Sequence, residues 1–137
     1  MIKEACEESL QPIGDEVKKE AVDQIGHYQS AIGTFPAWEQ LADATLDRKQ
    51  KLGLGLGGNP DTPMFASGAF RDDIESSTDT GALQVRCGTH KEYVINTELG
   101  TAKMPPRPVF GPAGLRAMPA ILKDMSGRLV TKINSVL

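Results

Sequence analysis

The stretch that decides how this chain folds is Tyr93–Phe110, which reads Y-V-I-N-T-E-L-G-T-A-K-M-P-P-R-P-V-F. Its first half sets Tyr93, Val94, Ile95 and Leu99 at near-helical spacing, and Gly100 stands where a helix would terminate. Its second half holds Pro105, Pro106 and Pro108, which cannot continue a helix or sit inside a central strand, because they lack the amide hydrogen. Met104, Pro105 and Arg107 each precede a proline and are pushed toward extended geometry. The expectation is a stiff, exposed arm that carries Lys103 and Arg107, with Val109 and Phe110 as an apolar foot on the body of the protein. Such an arm suits contact with another protein better than turnover of a small molecule.

Outward from that stretch, the chain downstream gives the cleanest amphipathic signal. Leu115, Met118, Leu122, Met125, Leu129, Ile133 and Val136 recur every three or four residues, so a long terminal helix is expected, with Pro112 at its start and Pro119 as a kink or as the start of its longer part. Arg116, Lys123, Arg128 and Lys132 decorate it. No aromatic residues are interleaved with these cations, which argues against specific nucleic-acid binding. Upstream, Glu75–Cys87 alternates polar and apolar residues around Thr80-Gly81, with Ser76, Thr78, Leu83, Val85 and Cys87 on one face, and reads as an antiparallel hairpin. Before it, Ser67 is placed to cap a short helix from Gly68 to Ile74, with Phe70 and Ile74 turned inward.

The first third begins with a stripe at Leu10, Ile13, Val17, Ala21, Ile25, Tyr28 and Ile32, the mark of an amphipathic helix that Gly33 ends. Phe35, Pro36 and Trp38 then form a connection in which the only tryptophan plugs the core. Leu41, Ala42 and Leu46 open a polar helix that stops at Gly53. Gly53, Gly55 and Gly58 match the spacing G-x-G-x-x-G. A dinucleotide site needs a buried strand before these glycines and a helix N-terminus after them, whereas a charged helix precedes and Asn59-Pro60-Asp61-Thr62-Pro63 follows. A flexible loop is the better expectation, with no cofactor. Cys87 and His90 have C-x-x-H spacing, but Cys6 and His27 lie far upstream, so no metal site is expected. Asp72 and Asp73 are adjacent on a helix and point in different directions, which favours surface charge over a nuclease-like cluster.

At 137 residues the chain fits a single domain, 1–137, with one modest core. Residues 1–82 carry fifteen acids and seven bases, and residues 83–137 three acids and eight bases. Opposite charges of that kind suit head-to-tail stacking of copies into a ring, although both regions also read as ordinary solvated surface. Two cysteines give no disulfide framework, no apolar run is long enough to cross a bilayer, and the acidic N-terminus is unlike a signal peptide; a soluble, intracellular product is expected. The fold class that follows is α+β, a small antiparallel sheet built on a hairpin and packed against long N-terminal and C-terminal helices, with extended loops.

Five motifs in order carry a resemblance: Phe35-Pro36-x-Trp38-x-x-Leu41; Phe65-x-x-Gly68-x-Phe70-Arg71-Asp72-x-Ile74; the hairpin; Tyr93 followed by Glu98-x-Gly100-Thr101; and Arg107-Pro108-x-Phe110 before the terminal helix. Over roughly residues 35–137 the chain resembles the tail-completion or neck proteins of tailed bacteriophages, the virion-morphogenesis or minor tail component family. Ser67 stands where that pattern usually has threonine, and the Gly53–Gly58 loop is not part of it. The resemblance implies a structural virion protein, not an enzyme. It would form a homo-oligomeric ring that joins the head connector or adaptor to the tail terminator or tail tube, around a passage through which genome DNA moves without specific binding. It would reside in the neck of the virion, after assembly in the host cytoplasm and without a membrane. Contact with partners is assigned to Glu98, Gly100, Lys103, Pro105, Pro106, Arg107, Pro108 and Phe110. A tail terminator ring is the near alternative. The distant one is a small enzyme using the glycine loop for a nucleotide, or Asp72, Asp73 and Glu75 for a metal.

Overall fold

A computed structural model describes residues 2–137. Among them are helices α1 (Ile2–Gln24), α2 (Asp43–Leu52), α3 (Ala69–Asp72), α4 (Val94–Leu99) and α5 (Phe110–Val136), with strands β1 (Glu75–Asp79) and β2 (Gln84–Gly88) between α3 and α4. The strands pair antiparallel with Ser76 opposite Cys87 and Thr78 opposite Val85. The chain is therefore α+β, with α1 and α5 packed on each other and α1 also carrying the hairpin. The sheet sits down on α1 at Gly14, where a Cβ would come within 3.3 Å of the Val85 side chain. Leu83 is not on the buried face as expected. It lies in the turn with positive φ and is largely exposed, because the two-strand register ends at Gln84.

Helix α1 both starts and stops earlier than the apolar stripe predicts. Its first turns form because Ala5, Ser9 and Leu10 are buried, so that packing overrides the cost of Pro12 inside the helix. It ends at Gln24, and the terminator is Gly26 (φ 92°), not Gly33: the Gly26 amide donates to Pro63 O at 2.8 Å, drawing the chain away from the helix axis. Tyr28 consequently leaves the stripe, and its hydroxyl donates to Asp61 Oδ1 at 2.5 Å.

Helix α5 runs unbroken through Pro119. The apolar stripe is not the side that meets α1: the fully buried positions are Ala113 and Ala117, while Leu115, Met118, Leu122, Ile133 and Val136 are exposed and Met125 and Leu129 half-buried. Alanines allow two helix backbones to approach closely, so α1 follows the line of small residues and leaves the bulkier stripe beside it. Opposite charge also meets within the chain here, since Lys132 Nζ lies 3.0 Å from Glu8 and 3.9 Å from Glu4. Charge from the acidic and basic halves of the chain thus meets within the subunit at Lys132.

The core gathers Ala21, Ile25, Trp38, Phe70, Ile74, Val94, Val109 and Ala113 from nearly every segment. Phe70 and Phe110 meet edge to face, with ring centroids 6.3 Å apart. The short helix is trimmed to Ala69–Asp72, with Ser67 Oγ accepting from the Ala69 amide at 3.3 Å. Asp73, just beyond it, accepts from Thr89 Oγ1 at 2.5 Å and from the His90 amide at 2.6 Å, tying the end of the hairpin to α3. These hydrogen bonds, the Thr89 hydroxyl foremost, hold the Asp73 carboxyl below the ordinary aspartate range. Because its folded-state value is depressed, the stability it contributes is complete above the unfolded value and is lost as pH falls through the folded one. Asp73→Asn is expected to flatten the acid limb of the stability curve below about pH 4, measured by denaturant unfolding at successive pH values.

Candidate functional site

The proline segment is the part the sequence singles out for contact, and its geometry corrects the expected arm. Gly100 (φ 75°) turns the chain back sharply, and a Cβ there would come within 3.0 Å of Pro106 N and Cδ. Thr101 and Met104 then bridge each other through Thr101 N to Met104 O at 2.8 Å and Met104 N to Thr101 O at 3.2 Å. Only the tip of this tight turn, Thr101–Lys103, stands out in solvent. From Met104 the chain dives inward, and Arg107, Pro108 and Val109 are buried.

Polar groups along the descent find partners on several other elements. The Arg107 amide donates to Thr97 O at 2.6 Å. Its guanidinium donates to Glu39 O through both Nε (3.1 Å) and Nη2 (2.9 Å), and to Gln40 O at 3.1 Å. Pro108 O accepts from Trp38 Nε1 at 3.0 Å, and Val109 O from Gln24 Nε2 at 3.0 Å. Glu98 reaches back from α4, its Oε1 accepting from the amides of Val109 (2.6 Å) and Phe110 (3.0 Å). That carboxylate therefore supplies two of the acceptors that the first amides of α5 lack, and sits where the helix dipole favours negative charge. Prolines stiffen the segment as expected, but they stiffen a buckle that fastens the α1–α2 connection, α4 and α5 together.

Of the eight residues assigned to partner contact, Lys103 is exposed. Pro105, Pro106, Glu98, Gly100 and Phe110 are half-buried, and Arg107 and Pro108 are buried. The Arg107 fork commits Nε and Nη2 to backbone carbonyls, and at 7% exposure the side chain presents little surface to a partner's carboxylate. Two sets of apolar residues that sequence periodicity marks are largely in solvent. One is Tyr93 at the start of α4 with Ile95 and Leu99 on it, at 53%, 65% and 78% exposure, and the other is Leu115, Met118, Leu122, Ile133 and Val136 of the α5 stripe, among which Met125 and Leu129 are half-buried. The signal for both was present as apolar spacing; what periodicity could not supply is which face the neighbouring elements would cover.

The glycine segment is a loop, with a single 3-10 turn at Leu56–Gly58 between α2 and Thr62. Thr62 organises it: its hydroxyl donates to Asn59 O at 2.8 Å and accepts from the Leu56 amide at 3.0 Å, while its carbonyl accepts from Lys49 Nζ at 2.6 Å. No strand feeds these glycines among the described residues. Nor does any trio of His, Cys, Asp and Glu converge there in a way that could hold a metal ion. His90 Nδ1 lies 3.5 Å from Asp73 Oδ1, and Cys87 is half-buried on the hairpin face toward α1. No helix among the described residues is long and apolar enough to cross a membrane.

Comparison of the chain with protein-family models, curated proteins and solved structures gives no match.

Proposed function

We propose that the chain is a structural subunit of the neck of a tailed phage. In this proposal it is a tail-completion protein whose copies form a ring between head connector and tail, around a passage through which DNA moves without specific binding. The ordered motifs of residues 35–137 support this, and one structural observation carries it: α5 leaves Leu115, Met118, Leu122, Ile133 and Val136 exposed over roughly 30 Å of helix, with Met125 and Leu129 half-buried between them. An uncovered apolar surface of that extent marks an interaction site. A ring needs two unlike faces that meet. The α5 stripe is one, and the α4 patch of Tyr93, Ile95 and Leu99 beside the Thr101–Lys103 tip is the other. Contact with neighbours thus passes to these surfaces and to Lys103, while Arg107, Pro108 and Glu98 hold the subunit in shape.

Leu122→Asp with Ile133→Asp is the direct test, since both side chains are exposed and neither fills the core. The doubly substituted chain is expected to keep its thermal midpoint within about 2 °C, as surface changes generally do. Its oligomer, measured by light scattering and native mass spectrometry, should dissociate, and the joining of purified heads to tails should fall at least tenfold. Normal joining by this variant would remove α5 from the mechanism and with it the ring proposed here.

A further inference from the structure

Between α2, the Met64–Ala69 segment and the Thr101–Arg107 turn runs an open groove of about 640 Å³. That volume falls within the range of clefts that bind ligands. Its walls are mainly apolar, with Leu41, Met64, Phe65, Phe70, Met104 and Pro105 among the lining residues. Met64 is held at φ 64°, a left-handed conformation that a side chain other than glycine adopts only at a cost.

One charged group in this lining has an unusual setting. Lys49 is 8% exposed, and its ammonium donates to a neutral carbonyl, Thr62 O at 2.6 Å, with no carboxylate within ion-pair distance among the described residues. The nearby carboxylate whose charge favours the Lys49 cation, Asp61, forms no ion pair with it and accepts from the Tyr28 hydroxyl instead. A buried cation so weakly compensated is costly, and an arriving anion would offset that cost. Burial also pushes the Lys49 amine below the ordinary lysine range. Lys103 lines the same groove from the exposed turn, while Arg107 is already engaged by Glu39 O and Gln40 O; among the described residues the acid in the lining is Glu39. The groove is thus apolar at its base and cationic on balance.

We infer that this groove is the docking site for a peptide segment of another protein, one that carries an acidic residue flanked by aliphatic side chains. The aliphatic groups lie against Phe65, Met64 and Met104, and the carboxylate pairs with Lys49. Charge complementarity selects that occupant over a basic or neutral peptide. A second copy of this chain matches less well: its exposed acidic strand, Glu75–Asp79, reads E-S-S-T-D and has no aliphatic residue to fill the base. Tyr93 and Lys103 border both this groove and the proposed ring face, so the peptide is tested on the isolated subunit, which can bind it whether or not it joins heads to tails.

The experiment uses the full chain and three acetylated, amidated peptides, with Leu-Glu-Leu, Leu-Gln-Leu or Leu-Lys-Leu flanked by glycines, followed by two-dimensional NMR titration to millimolar peptide. The Glu peptide is expected to shift resonances around Phe65 and Met104 and to bind at least tenfold more tightly than the Gln peptide, with the Lys peptide inert. Lys49→Met should erase the difference between Glu and Gln. Ala42→Trp, a change at an exposed position on the groove wall, should weaken all binding while leaving the fold intact and so stands in if the lysine variant fails to fold. Equal binding of the Glu and Gln peptides, no shifts at millimolar Glu peptide, or undiminished binding by Ala42→Trp would overturn the inference. So would loss of self-association on Ala42→Trp, which would make the occupant a second copy.

Discussion

Arg107→Glu is expected to destabilise the subunit by on the order of 3 kcal/mol, seen as a fall in Tm of roughly 10 °C. The native guanidinium makes three hydrogen bonds to the carbonyls of Glu39 and Gln40. A carboxylate in that place would face two acceptors with nothing to donate, in a position that is 7% exposed. Arg107→Lys separates charge from geometry. It keeps a cation but loses the planar fork that reaches both carbonyls, so roughly half of the loss is expected. Thermal unfolding of the three chains in parallel decides the matter. Should Arg107→Glu melt with the native chain, the guanidinium is not a fastening and its contacts carry no net stability.

Glu98→Ala is the second large effect. It strips the acceptor from two amides at the start of α5, and Val109, which owns one of them, is fully buried. An orphaned buried amide and a lost helix cap together cost about 2–3 kcal/mol. Glu98→Gln keeps an acceptor oxygen and removes the charge that suits the helix dipole, so its loss should be well under half as large. Hydrogen exchange gives a local readout: the amides of Val109 and Phe110 should lose protection in the alanine variant far more than those of α1. Uniform loss across both helices would mean that the carboxylate supports the whole fold rather than the start of α5.

Both residues show why contacts were harder to foresee than elements. The hairpin, the α2 stop at Gly53, the burial of Trp38 and the inward turn of Phe70 and Ile74 all follow from local rules: alternation, a glycine after a polar helix, the size of an indole. The fate of the proline segment does not follow from such rules. Prolines fix φ and remove donors, which makes the segment stiff wherever it lies, but whether it projects or packs depends on carbonyls near residue 39 that are almost seventy positions away in sequence. For α5, apolar spacing marked one stripe, whereas close approach to α1 was decided by Ala113 and Ala117, which a hydrophobic pattern ranks below leucine. Lys49 was hidden in a run of charge, D-R-K-Q-K, and only the loop that folds over it sets it apart from its neighbours.

The buckle has a temporal corollary. Its bonds join Gln24 to Val109, Trp38 to Pro108 and Glu39 to Arg107, separations of 85, 70 and 68 residues, and α1 closes against α5 from the other end of the chain. During synthesis at roughly 5–20 residues per second, α1 must therefore wait about 5–20 s before α5, which packs on it, leaves the ribosome. Pairings so distant along the chain also slow refolding, because loop closure precedes the contacts that reward it. Stalled nascent chains that end before Phe110 should accordingly remain open to protease along α1, and those that release α5 should become resistant.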